Sequence, residues 1–248
     1  MATHSRSARA PRIRAAHLLA AGLLVGAAGL FGLARAQSAT APVAAPVGAQ
    51  LLSNQLAGFA RAGGFPVGTP RVGRLSLSRD EEEAFASAGI VGGIGGLSLK
   101  GGEIQLSPAT LRAARRVARR GGVTVAPFQL VKLLLHEQLH QVSWRKRDSW
   151  YPLGSPERVR DEGATEAAAW ILARVWCARP ATHCTGNRSV TPAYRSRVSR
   201  MRRMAIDGSG ARRHTDRAAR VWLRAYLRGD DARREALRRE ALRRREAR

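Results

Sequence analysis

Lysine is almost missing from this chain: Lys100, Lys132 and Lys146 are its only examples among 43 basic residues, the rest being arginine. Acids are few as well, 18 in 248 residues, so the formal net charge is +25. Aromatic residues make up 5% and cysteine occurs twice. Two cysteines rule out a disulfide-dense scaffold and an all-cysteine structural zinc site. The basic charge suits a polyanion, yet few aromatic side chains interleave the basic runs, so nucleic acid ranks low as a partner. There is no internal repeat of domain size, and residues 15–33 form a long apolar stretch without charge.

That stretch follows Arg6, Arg9, Arg12 and Arg14 and ends at Ala34-Arg35-Ala36, a small-x-small pattern before Gln37. Residues 1–36 therefore read as a signal peptide for export. An uncleaved membrane anchor is the rival, because the apolar length is near the spanning threshold, although Gly22, Gly26, Gly29 and Gly32 dilute it. No adjacent arginine pair or lipid-attachment cysteine accompanies it, which points to a general secretory route. Residues 37–50, rich in Ala and Pro, are expected to be a flexible spacer, 51–229 a folded domain, and 230–248 a basic charged tail. Five arginines and no acid lie before residue 37, so the remainder still carries +20. An exported cation of that size is expected to adhere to anionic cell-envelope polymers or lipid headgroups.

The chemistry is concentrated in His136-Glu137-Gln138-Leu139-His140. Residues four apart share one helix face, so two imidazoles can reach a single metal ion, with Glu137 beside them to accept a proton from water. Pro127 suits a helix start, and Phe128, Val131, Leu134, Leu135, Leu139 and Val142 form an apolar stripe at three- and four-residue spacing. Such a helix is buried. Its polar groups need partners, since an unpaired buried polar group costs about 1 to 3 kcal/mol. The motif supplies two ligands and a base and lacks a third ligand.

Downstream, Asp161-Glu162-Gly163-Ala164-Thr165-Glu166 precedes an apolar run through Trp170, Ile171, Leu172 and Val175. The arrangement resembles the gluzincin metallopeptidases, in which a glutamate on a second helix some twenty residues after the second histidine completes a zinc site. Glu162 follows His140 by 22 positions, and Asp161-Glu162-Gly163 is similar to the Asn-Glu-Gly of the aminopeptidase branch with aspartate for asparagine. The resemblance covers residues 127–176. It implies Zn²⁺ held by His136, His140 and Glu162, Glu137 as general base, and Glu166 behind a zinc histidine. Glu166, one turn on, is the rival third ligand. A further alternative is that both carboxylates merely solvate a helix's first turn. The metzincins are excluded, because their third histidine would fall at Lys146. The implied fold is α+β and mostly helical: a zincin-like domain with a small sheet before the His-Glu-x-x-His helix and a glutamate-bearing helix after it.

Residues 89–99 and 103–106 read as strands around Lys100-Gly101-Gly102, and in gluzincin-like folds an edge strand there binds extended peptide. Residues 89–96 are equally readable as a loose loop. Ser107-Pro108 opens a helix expected to run through Leu111, Val117 and Ala118, and Thr191-Pro192 and Thr215-Asp216 open two packing helices. Tyr194, His183 and His214 are candidates to stabilise an oxyanion. Cys177 and Cys184 pair as a disulfide in an exported protein, with a Cys-Cys-His183 metal site as the competing reading. The tail repeats Arg-Arg-Glu-Ala-Leu and reads as a solvated helix or a disordered basic extension. Together these features lead to an exported zinc metallopeptidase acting on peptides or proteins. The alternative is a basic envelope-binding protein on the same scaffold, with structural zinc or none. Amide hydrolysis of cell-wall peptides would share the chemistry of the first reading.

Overall fold

Helix α1 (Val47–Ala62) buries Ala49, Leu52, Ser53, Leu56, Ala57 and Ala60 on one face, the three- and four-residue spacing of an amphipathic helix. It starts ahead of Leu51, where folding was expected to begin, because Ala49 belongs to that face. Gln50 also acts there: its Nε2 donates to the Pro70 carbonyl and its Oε1 accepts from the Val72 amide. The computed structural model describes residues 47–75, 77, 79, 83, 95–99, 102–144, 155–190, 194–211 and 215–248. The expected signal peptide, most of the spacer, residues 89–94, Lys100, Gly101, Lys146, Thr191, Pro192 and His214 lie outside them.

Two small sheets follow. The first has the order β1-β3-β2, from β1 (Arg71–Arg74), β2 (Gly96–Ser98) and β3 (Glu103–Leu106). β2 and β3 are antiparallel, as the hairpin reading requires, with Gly96 opposite Leu106, while β1 runs parallel to β3. Ser107 caps α2 (Pro108–Ala114), accepting from the Thr110 amide.

Here the expectation fails. α2 ends at Ala114, and Ala118 begins strand β4 (Ala118–Arg120), which turns back into β5 (Val123–Pro127). The turn is Gly121-Gly122, both at positive φ, 54° and 80°, a conformation that two-residue hairpin loops need and glycine supplies without strain. β5 then pairs in parallel with β6 (Thr182–Thr185), from Thr124 opposite Thr182 to Pro127 opposite Thr185. The second sheet, β4-β5-β6, therefore closes around the helices between β5 and β6, since parallel neighbours need a long crossover.

That crossover carries the motif. Pro127 ends β5, and α3 (Phe128–Trp144) begins at the next residue. Phe128, Val131, Leu134, Leu135, Leu139 and Val142 are all buried, as the stripe predicted. α4 (Pro156–Cys177) is capped by Ser155, which accepts from the Arg158 amide. Buried Ala164, Ala167, Ala168 and Ala169 let α4 lie close against α3, α5 (Arg195–Ser209) and α6 (Asp216–Arg228). Thr215 caps α6. Cys177 and Cys184 form a disulfide joining the end of α4 to β6. The C-terminal segment takes the helical alternative: α7 (Asp231–Glu246) packs on α5 and α6 and buries Arg234 and Ala241. Among the described residues the architecture is α+β and mostly helical, with seven helices, and no helix is long and apolar enough to cross a membrane.

Candidate metal centre

His136 and His140 sit one turn apart on α3, as their spacing demands, and Glu162 reaches them from α4. His136 Nε2 is 3.0 Å from His140 Nε2, and Glu162 Oε2 lies 3.3 Å from the first and 3.4 Å from the second. These three atoms are mutual neighbours around one point. A tetrahedral zinc ion with ligands at about 2.0 to 2.1 Å needs ligand-to-ligand edges of about 3.4 Å. The donor set therefore fits the metal in both chemistry and spacing. Among the described residues it is the only group of three or more histidine, cysteine or acidic side chains with such convergence.

Glu166 does not share that point. Its Oε2 is 2.9 Å from His136 Nδ1, on the far side of the ring, an ion-pair contact rather than a well-directed hydrogen bond. The two glutamates thus separate into one at the convergence point and one behind it. Nor do they solvate a first turn: α4 begins at Pro156, which places both within the helix, and Glu166 is buried.

Behind the second histidine stands Asp161, with Oδ2 3.6 Å from His140 Nδ1 and Oδ1 accepting from Ser143 Oγ at 2.5 Å. Each candidate ligand has a further charged neighbour. Lys132 Nζ pairs with Glu166 Oε1, and Arg158 Nη2 is 2.7 Å from Glu162 Oε1, the oxygen turned away from the histidines. Arg158 precedes Glu162 by one helical turn, so the i,i+4 rule predicts that pair, whereas Lys132 shares a helix face with His136 but meets Glu166 34 residues away. Arg234, which meets Asp161 across 73 residues, had no local signal.

The charges shape the titration of the group. Burial acts to lower the His136 pKa, but Glu162 and Glu166 outweigh it and raise it to about 10. His140 is likewise raised against burial, chiefly by Glu162. Burial opposes ionisation of Glu162, and the two histidines and Arg158 overcome it, holding the carboxyl well below its usual range. Glu137 behaves differently. Burial pushes its pKa up, and His136 and His140 only partly counter that.

Glu137 lies under β2: a methyl on Gly96 would stand 3.4 Å from Glu137 Cγ. Tyr194, at the start of α5, presents its ring edge-on to His136 with centroids 6.1 Å apart. Burial and the nearby Glu162, Glu166 and Glu137 push its phenol pKa up, so it remains an O–H donor at neutral pH. Gly163 permits the close crossing that brings α5 there, since a methyl at that position would meet Met201 Cγ at 3.0 Å. His183 is exposed on β6 and is not part of the group, and the disulfide engages both sulfurs of the competing Cys-Cys-His183 reading.

No protein-family model, curated protein or solved structure matches the chain.

Proposed function

We propose that the chain is an exported zinc-dependent metallopeptidase of the gluzincin type on a zincin-like fold. The observation that carries the reading is the convergence of His136 Nε2, His140 Nε2 and Glu162 Oε2, each pair within 3.4 Å, with buried Glu137 beside the first histidine. His136, His140 and Glu162 would hold the zinc. When bound, it supplies Lewis-acid polarisation of a carbonyl and lowers the pKa of water.

The protein's own groups supply the rest. Ligation needs both Nε2 atoms free of protons; the negative charges of Glu166 and Asp161, facing the two Nδ1 atoms, favour the ring protons on that side. Arg158 engages Glu162 Oε1 and leaves Oε2 toward the histidines. Glu137, its proton affinity raised by burial, accepts a proton from water as the hydroxyl adds to the scissile carbonyl carbon. It then passes that proton to the amine nitrogen as the C–N bond breaks. Tyr194, whose ring lies beside His136, would donate to the oxyanion. β2, at the edge of its sheet among the described residues and in contact with Glu137, provides a backbone edge for an extended peptide. The sequence signal at residues 1–36 supports export, where peptides and proteins, including cell-wall peptides, are the substrate class.

Glu137→Gln tests this directly. The variant is expected to keep one zinc per chain and lose peptide hydrolysis. Full activity in the variant would remove Glu137 from the mechanism, and a zinc-free unsubstituted chain after reconstitution would favour the basic envelope-binding alternative.

A further inference from the structure

The C-terminal helix sends one side chain into the interior behind the proposed metal centre. Arg234 is 4% exposed, and its guanidinium donates in every direction. Nε donates to the Gly229 carbonyl at 3.0 Å and Nη1 to Asp161 Oδ1 at 2.8 Å. Nη2 donates to Ser143 Oγ at 3.0 Å, the Ser143 carbonyl at 3.3 Å and the Leu227 carbonyl at 3.1 Å. The group also lies over the Tyr226 ring, 5.1 Å from its centroid. One arginine of α7 thus fastens the end of α3, the second turn of α4 and the end of α6. Among the described residues Asp161 is its only acidic partner, and the other oxygen of Asp161 faces His140 Nδ1.

We infer that Arg234 is a positioning residue for the metal centre: it holds Asp161 in the orientation that orders His140, so the C-terminal helix belongs to the site rather than trailing from it. The proposal rests on the zinc reading of His136, His140 and Glu162. A planar fork suits this place because Asp161 must be held from one side by two groups, the guanidinium and the Ser143 hydroxyl that the guanidinium also engages. Lysine has one ammonium and cannot reach Asp161, Ser143 and the α6 carbonyls together.

The test is zinc affinity of the full chain, measured by competition with a chromogenic chelator, for Arg234→Met, Arg234→Lys, Asp161→Asn and the Arg234→Met/Asp161→Asn pair. Arg234→Met is expected to weaken zinc binding by at least about tenfold, the effect of losing a carboxylate behind a ligating histidine. Arg234→Lys, which keeps the charge, is expected to weaken it less and to remain folded if the methionine variant does not. The paired variant should bind no worse than Asp161→Asn alone, because the arginine acts through that aspartate. The visible spectrum of the cobalt-loaded chain should change in the same variants, which lost stability alone would not produce. Undiminished affinity in the folded arginine variants, or losses that add in the pair, would overturn the inference and leave the zinc reading standing. Absence of zinc from the unsubstituted chain would overturn both.

Discussion

Lys132→Met separates the two states of the proposed centre. In the structure Glu166 is buried, with Lys132 on one oxygen and His136 Nδ1 on the other. Removing one partner of a buried pair typically costs about 3 to 5 kcal/mol, because the remaining charge is left uncompensated. In the metal-free protein the cost should fall below that range: His136, raised to about 10, is protonated at neutral pH and keeps a positive charge against Glu166. Zinc brings its own positive charge to the ring, so the effect on metal binding comes from orientation: without the ammonium, Glu166 is no longer fixed against His136 Nδ1. The substitution should therefore destabilise the metal-free chain by about 1 to 3 kcal/mol and lower zinc affinity by about 10- to 100-fold. Adding Glu166→Gln should recover most of the metal-free stability, because it removes the stranded charge. Urea unfolding of the metal-free variants, read with a zinc competition titration, measures both effects. Unchanged zinc affinity in folded Lys132→Met would refute the reasoning, and so would failure of Glu166→Gln to restore stability.

The metal-free protein should also lose stability as pH rises. His136 has a folded-state pKa of about 10 against about 6.5 unfolded, so its contribution is complete below about 6.5 and disappears through about 10; zinc-loaded protein, with His136 already neutral, should lack this slope in thermal melts. Asp161, held below the usual range against its burial by His140, Arg234 and Ser143, should contribute stability above about pH 4 that is lost as pH falls further, and Asp161→Asn should flatten that acid limb. Tyr194→Phe should lower kcat by about 100- to 1,000-fold with zinc affinity unchanged, the pattern of a lost oxyanion donor; an effect on zinc affinity alone would instead make the tyrosine a packing group against His136. Replacing Cys177 and Cys184 together by serine should cost about 2.5 kcal/mol through loop entropy, visible as a lower urea midpoint with the zinc stoichiometry retained.

The parts of the site that could be read in advance are those written in short-range spacing. His136 and His140 one turn apart, the apolar stripe from Phe128 to Val142 and the cap at Ser107 each depend on residues within a few positions of one another. Arg158 obeys the same i,i+4 rule toward Glu162, whereas the pairing of Lys132 with Glu166 depends on the packing of α3 against α4. The β4–β5 hairpin was legible too, in Gly121-Gly122, but Val117 and Ala118 extend the apolar spacing of α2 and favour helix when read locally. Pairing with β6, 58 residues beyond Thr124, decided for strand. α4 starts ahead of its acidic residues, at Ser155-Pro156, a cap and first-turn pair that local spacing also carries.

What the sequence determined by itself is therefore the chemistry on offer: two imidazoles and a carboxylate on one buried helix, two more carboxylates a turn apart on another, and a cysteine pair close enough to bond. These follow from helical periodicity and chain proximity, which any local segment expresses. Which glutamate joins the histidines, which one stands behind them, and that an arginine from the last helix closes the network on Asp161 were decided only when α3, α4, α6 and α7 packed. Those contacts join residues tens of positions apart, and burial makes each unpaired charge costly enough that the packing, not the local spacing, selects the partner.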